Sequence, residues 1–307
     1  MYLHKDWELF QEVVSSASAA LGIPVPVVEK DYYVTMILKL LAEKADGCVF
    51  KGGTSLAKCH HVIKLFSEDI DITFTDKLTQ GQRKKLKNNI IDSISKELEL
   101  PISDWDKARS RRDYNCYTFQ YEPIDGYIPE SLILGVKMEV SLASVAFPVV
   151  QMPVDSYVFQ FLQEENMEII EEYGLQPFPM TIQNIDRTLA DKVFALCDYY
   201  MEGKIKRHSR HIYDIYKLLP LVEQDSQFKK LIHEVRVIRE QMSICPSAQK
   251  GINIPEILQK IIREEIYRSD YQDITAYFQN EQIDYETAIE PLKQIAESGM
   301  FKDEYFE

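Results

Sequence analysis

The segment that most constrains this chain runs from Cys48 to Phe74, CVFKGGTSLAKCHHVIKLFSEDIDITF. A short apolar run, Cys48 to Phe50, ends at Gly52 and Gly53, where the backbone is free to turn sharply. Residues Ser55 to Phe66 then follow helical apolar spacing, which places His60 and His61 inside a helix rather than in a metal site, since no HxxxH or HExxH spacing accompanies them. Residues 69–74 alternate polar and apolar with period two, as a half-buried strand does. Strand, glycine turn, helix and strand in so few residues mean an α/β unit whose two strands lie side by side.

The rest of the chain divides by character. Apolar residues recur every three or four positions over 5–21 and 27–45, then lysine-rich helical spacing covers 82–99. Strand-like runs follow at 114–121 and 132–145. Pro148, Pro153, Pro177 and Pro179 punctuate a seam at about 150–180. Beyond it the stripes Ile185, Leu189, Val193, Leu196, Tyr200 and Ile212, Ile215, Tyr216, Leu219 are helical. The expected fold is α+β: a mixed sheet with helices over residues 1–160, then a mainly helical domain over 161–307.

Composition narrows the function classes. The five cysteines are scattered and form no CxxC pair, so reduced thiols explain them better than disulfides or zinc. No stretch approaches the roughly 20 apolar residues of a membrane span, and the charged first residues do not read as a signal peptide, so the expected location is cytoplasmic, with no membrane partner. The 18 tyrosines point to packing with hydroxyl handles more than to base stacking. A net charge of −14 opposes general nucleic-acid binding, although basic residues gather at 83–87, 107–112 and 204–210, runs that are commonly plain solvated faces.

The chemistry rests on Asp69 and Asp71. At i and i+2 of a strand both carboxylates point one way, and the usual compensation for such repulsion is a bound cation. Alone, an Asp-x-Asp run is most often an ordinary strand edge facing water. Here it lies directly after a glycine turn and a helix start at Thr54 or Ser55, so that phosphates would meet backbone amides on one side and carboxylate-held metal on the other. Mg²⁺ (or Mn²⁺) with a nucleoside triphosphate fits that arrangement. The turn is neither GxxxxGK[ST] nor GxGxxG. Glu139, amid an apolar strand where Lys137, Glu139 and Ser141 share a face, needs a partner, a metal or a lysine.

The run GGTSLAKCHHVIKLFSEDIDI resembles the signature of the abortive-infection nucleotidyltransferase toxins (AbiEii-like), in the DNA polymerase β-type superfamily. The resemblance continues at KMEV (137–140), LADKVFAL (189–196) and RHIYDIYKL (210–218). It implies that Asp69, Asp71 and Glu139 hold the metal, and that Lys192 and Asp214 are the essential lysine and late aspartate. Lys51, Gly52, Gly53, Thr54, Ser55 and Ser67 would meet the triphosphate. It also implies transfer of a nucleoside monophosphate to RNA such as a tRNA 3′ end, toxin activity in phage defence, and a neighbouring antitoxin protein. Two positions depart from the family pattern: Leu65 stands where an arginine is usual, so that one phosphate contact is either missing or supplied by Lys64, and His211 replaces the first acid of RDxxD while Asp214 stays in place.

Read without the family, the later residues have plainer explanations. Lys192 flanks an apolar stripe, where a lysine often snorkels along a helix edge. Arg210, Asp214 and Lys217 share one helix face, as a surface salt bridge would. Three readings therefore stand: transfer to RNA, transfer to a small molecule or protein hydroxyl, and a non-catalytic binding protein on the same scaffold. For RNA, the 204–210 run is the expected phosphate contact, because it joins the helices of Lys192 and Asp214.

Overall fold

The computed structural model describes residues 1–63, 69–125, 135–164, 166–275 and 283–302. The chain forms two compact units, one of residues 1–59 and 67–182, the other of residues 60–66 and 183–307.

The first unit is built on a six-stranded mixed sheet in the order β3-β4-β2-β1-β6-β5. Its strands are β1 (Cys48–Lys51), β2 (Ile70–Phe74), β3 (Tyr114–Phe119), β4 (Val136–Val145), β5 (Val149–Val154) and β6 (Phe178–Gln183). β1 runs antiparallel to β2, β2 parallel to β4, β4 antiparallel to β3, and β1 parallel to β6. Alternation sets the two faces. Ile70, Ile72, Val136, Met138 and Val140 are buried, whereas Asp71, Lys137, Glu139 and Ser141 lie on the more open side.

Helices α1 (Trp7–Leu21) and α2 (Val25–Lys44) supply much of this unit's core, including Phe10, Tyr32, Ile37 and Leu41. α1 starts on an Asp6 cap that accepts from Leu9 N and stops at Gly22, whose φ of +66° suits a residue without Cβ. α3 (Gly52–Lys58) is a short helix after β1. α4 (Gln80–Lys85) continues through a π-helical stretch, Leu86–Ile91, into α5 (Asp92–Leu98). α6 (Tyr157–Leu162) and α7 (Met167–Tyr173) follow β5.

Two sequence readings need correction here. α3 begins at Gly52 and ends at Lys58, so His60 and His61 lie outside it. His61 takes a φ of +52°, incompatible with continued helix, and a His60 ring nitrogen lies 3.1 Å from the Gln183 carbonyl oxygen. The proline-punctuated stretch at 150–180 carries β5, α6, α7 and most of β6. A proline on a strand forfeits only its own donor, so Pro153 and Pro179 are tolerated in these two strands at one end of the sheet order.

The second unit is helical: α8 (Ile185–Met201), α9 (Arg210–Leu218), α10 (Ser226–Glu240), α11 (Ile254–Glu264), the short α12 (Arg268–Asp270) and α13 (Tyr285–Ser298). Leu189, Val193, Leu196, Ile212, Ile215, Leu258, Ile261 and Ile295 form its core. A buried ionic web ties α8 to α10. Arg239 meets Asp198 at 2.6 Å and Asp191 at 3.3 Å, and Asp198 also accepts from Ser247 N at 2.8 Å. No single helix among the described residues is long and apolar enough to cross a membrane. All five cysteines are free thiols.

Three consecutive ionisable residues on α2 are buried: Glu29, Lys30 and Asp31. Asp31 pairs with Lys58 of α3 at 2.5 Å and accepts from Tyr157 N at 2.8 Å, while Glu29 accepts from Ile124 N at 3.1 Å. Burial pushes the Glu29 carboxyl up to about 7, against the Ile124 amide and with help from Asp125. Its folded value thus exceeds its unfolded one. The unfolded chain loses this proton first as pH rises, so stability falls from about pH 4.5 until about pH 7. Glu29→Gln should remove that decline: its Tm should gain on wild type progressively between pH 5 and 7.5. A constant difference across that range would refute the assignment.

Candidate active site

β1 and β2 are registered so that Lys51 lies opposite Asp71, and β2 and β4 so that Asp71 lies opposite Glu139. Paired residues on adjacent strands project to the same side, so Lys51, Asp71 and Glu139 form a row across three strands. Asp69, two residues before Asp71, continues that face, and the same register places it beside Lys137.

Gly52 is what allows the row to close up. Its φ is +81°, and a Cβ built there would fall 2.1 Å from Asp71 Oδ2 and 2.9 Å from its Cγ. Such a contact is impossible, so the Asp71 carboxylate occupies the space a side chain would take. The next residues turn inward: Thr54 Oγ1 donates to the Asp69 carbonyl at 2.5 Å and Ser55 Oγ to the Gly52 carbonyl at 2.9 Å. Gly53, Thr54 and Ser55 are buried, Lys51 and Gly52 half-buried. Ser67, Lys64 and Leu65 lie outside the described residues.

Glu139 has the partner its strand position demanded. Lys137 Nζ donates to its carboxylate. Burial lowers the Lys137 pKa, but the bond to Glu139 and the nearby charges of Glu139 and Asp69 prevail and raise it, so the ammonium stays charged. Tyr114, at the head of β3, lies opposite Ser141 on the face that carries Glu139; burial first, then the charges of Glu139 and Asp71, push its pKa up and keep the phenol neutral. Sequence reasoning missed Tyr114, because only the register of β3 against β4 brings it here. The Asp31–Lys58 pair was missed as well, though a Glu-Lys-Asp run inside an apolar helix was a legible signal.

Among the described residues no three His, Cys, Asp or Glu side chains already converge as a metal cage. Two carboxylates on one face nevertheless fit a hard cation, which commonly takes one or two carboxylates and completes its shell from substrate and water.

In the helical unit Lys192 and Asp214 come together. Lys192 Nζ lies 2.5 Å from Asp214 Oδ2, and Asp214 is fully buried. The surface location that one of the two sequence readings gave Asp214 is therefore corrected: packing of α9 against α8 buries its carboxylate, and a buried carboxylate needs a cation. Neither Asp214 oxygen has a well-aligned hydrogen bond among the described residues, so the contact is ionic. His211 is half-buried on the same helix, with its Nδ1 shielded from solvent. Burial first, then the charges of Lys192 and Arg210, hold its pKa far below the ordinary value. Position 211 is thus a neutral ring, stacked on Tyr199 at 5.5 Å, where the resembling family carries an acid.

The sequence model of the family described as "Nucleotidyl transferase AbiEii toxin, Type IV TA system" matches residues 37–295. The chain belongs to the AbiEii nucleotidyl transferase toxins. Among solved structures, the nucleotidyltransferase toxin MenT4 of Mycobacterium tuberculosis is similar, with a TM-score of 0.60 and 13% identity over 96% of this chain and 91% of that one. At that identity the likeness is one of fold. No curated protein sequence matches the chain. Within this AbiEii chain the acid row and the Lys192–Asp214 pair are the two concentrations of the resembling family's charged residues.

Two predictions follow from this geometry. Gly52→Ala should displace the Asp71 carboxylate and lower activity at least about 100-fold with circular dichroism unchanged. Gly22→Ala, at a similar φ of +66° but with nothing within 4 Å, should cost only about 1–2 kcal/mol of stability and no activity. Equal activity in the two variants would show that the Gly52 contact is immaterial. For the buried pair, Asp214→Ala should destabilise by about 3–5 kcal/mol by stranding Lys192. Adding Lys192→Met should restore much of that stability in urea melts without restoring activity. An active double variant would make the pair purely structural.

Proposed function

We propose that this chain transfers a nucleoside monophosphate from a nucleoside triphosphate to a hydroxyl of RNA, a tRNA 3′ end in the reading carried over from the family, as a toxin held in check by a cognate antitoxin protein. The observation that carries the reading is the Asp71–Glu139 register on the open sheet face, closed against Gly52.

Asp69 and Asp71 would hold Mg²⁺ or Mn²⁺, with Glu139 as third carboxylate once it is released from Lys137. Such an ion, when bound, neutralises triphosphate charge and acidifies the attacking hydroxyl. The chain's own residues do the rest. Glu139 accepts the acceptor proton as the hydroxyl oxygen bonds to the α-phosphorus. The α–β phosphoanhydride bond breaks and pyrophosphate leaves with its electron pair. Lys51 and the backbone at Gly52 steady the phosphates, and Lys137 keeps a fixed positive charge beside the acids. In this proposal the N-terminal domain carries the chemistry, and in the helical domain Lys192 neutralises charge while Asp214 holds that lysine in place.

The test is incorporation of α-labelled nucleoside triphosphates with total RNA, with protein alone and with neither. Asp69→Asn and Asp71→Asn should each lower RNA labelling by about 10³-fold, several kcal/mol of transition-state stabilisation, with the fold retained. Near-normal labelling by either variant would sink the assignment. Label appearing on the protein, or on a small molecule instead of RNA, would replace the acceptor and leave the chemistry standing.

A further inference from the structure

Two basic runs that lie apart in sequence, 83–87 and 107–112, become one surface of the first unit. Across residues 80–91 and 104–113, eight lysines and arginines stand against three aspartates, on a chain whose net charge is −14. A concentration of positive charge on so acidic a protein is a local device, since the whole-molecule field repels polyanions.

The loop at 104–113 is held in place by its own hydrogen bonds. Lys87 donates to the carbonyls of Trp105 at 3.1 Å and Ala108 at 2.7 Å, with its ammonium 4.6 Å from the centre of the Trp105 ring. Asn115 clasps Arg109 at both its N–H (2.7 Å) and its carbonyl (3.0 Å), and Asp104 accepts from the Thr118 N–H at 2.8 Å and its hydroxyl at 3.0 Å. Arg83 pairs with Asp113 at 2.9 Å, and Gln80 reaches Ser110 at 3.2 Å. These contacts dock the loop along the side of α4 that bears residues 80, 83 and 87. Four cations remain over: Lys84, Lys85, Lys107 and Arg111 are exposed, and among the described residues none of their side chains has a hydrogen bond or ion pair.

The surface leads into the acid row. Arg111 lies three residues before Tyr114, at most about 11 Å of extended chain. Tyr114, half exposed, lies opposite Ser141, two residues along β4 from Glu139, which lies opposite Asp71. A phosphate-binding surface that begins this close to the reacting centre suits an acceptor whose chain continues past its reactive hydroxyl.

We propose that the face formed by α4, its π-helical continuation and the 104–113 loop grips the phosphate backbone of the nucleic-acid acceptor, through Lys84, Lys107 and Arg111. The proposal rests on the RNA-acceptor reading above, and its test separates the two. Bulk transfer RNA is titrated by fluorescence anisotropy onto the full chain and onto Lys84→Gln/Lys107→Gln/Arg111→Gln, from 50 to 300 mM salt, alongside a second variant with Lys204, Lys206 and Arg207 neutralised. The first variant should bind at least about tenfold more weakly at 100 mM salt and lose about two to three units of slope in log Kd against log salt. Labelling of bulk RNA should fall with it, while labelling of a trinucleotide acceptor too short to reach the face should not. Unchanged binding and slope in the first variant would overturn the proposal, as would loss confined to the 204–207 variant. Wild-type protein that neither binds nor labels RNA would instead overturn the acceptor reading itself.

Discussion

The absence of one carbon atom governs the geometry of the acid row. Asp71 Oδ2 sits where a Cβ on residue 52 would have to be. That single contact joins three requirements. β1 must end in a residue able to hold positive φ, β2 must present an aspartate opposite the last residue of β1, and the antiparallel register must stay fixed between them. A one-residue slip of β2 would turn Asp71 into the core and bring Ile70 or Ile72 to the open face. Burial of those isoleucines, at a free energy of about 1.5–3 kcal/mol each, is what prevents it. The apolar packing of the sheet thus holds the carboxylates in place from behind.

Elsewhere among the described residues, several buried charges sit in pairs or webs. Asp31 with Lys58, Lys192 with Asp214, and Arg239 with Asp191 and Asp198 each bring opposite charges together where water is scarce. Such pairs are weak sources of stability, because desolvation offsets most of the attraction. Their consequence is positional: an ion pair confined by packing has one geometry, while an apolar pair of equal volume has several. Asp31–Lys58 fastens α3 to α2, and α3 is the helix that begins at Gly52. A charge pair on the far end of the helix therefore acts on the same turn that receives Asp71.

The sequence made the central strand–turn–helix–strand unit legible because every signal there is local: glycines for the turn, period two for the acids, apolar spacing for the helix. Glu139 was legible as an expensive carboxylate on an apolar strand, and its lysine two residues away as the partner. What could not be read was register. Nothing in YNCYTFQY says that Tyr114 will lie opposite Ser141, on the face that carries Glu139. The strands at 149–154 and 178–183 escaped for a different reason, since their prolines are breakers in isolation and acceptable where a strand does not need that donor. Only the surface reading of Asp214 fails, because helical-wheel geometry assigns angle but not depth: packing against α8 buries the face of α9 that arithmetic put outside.

The basic face and the acid row pose opposite electrostatic problems on the same sheet. Carboxylates gathered on one face repel a polyanion as strongly as they attract a metal ion, and a chain of −14 adds to that repulsion at long range. At physiological ionic strength, however, screening reduces distant charges within about 8 Å, so an acceptor phosphate responds mainly to the side chains it touches. Lys137 and Lys51 lie within the acid row itself, and the cations of α4 and the 104–113 loop lie a few residues beyond Tyr114. Under the proposed reading, the exposed cations of this face would guide an acceptor toward the carboxylates by charge alone, with no reading of its sequence.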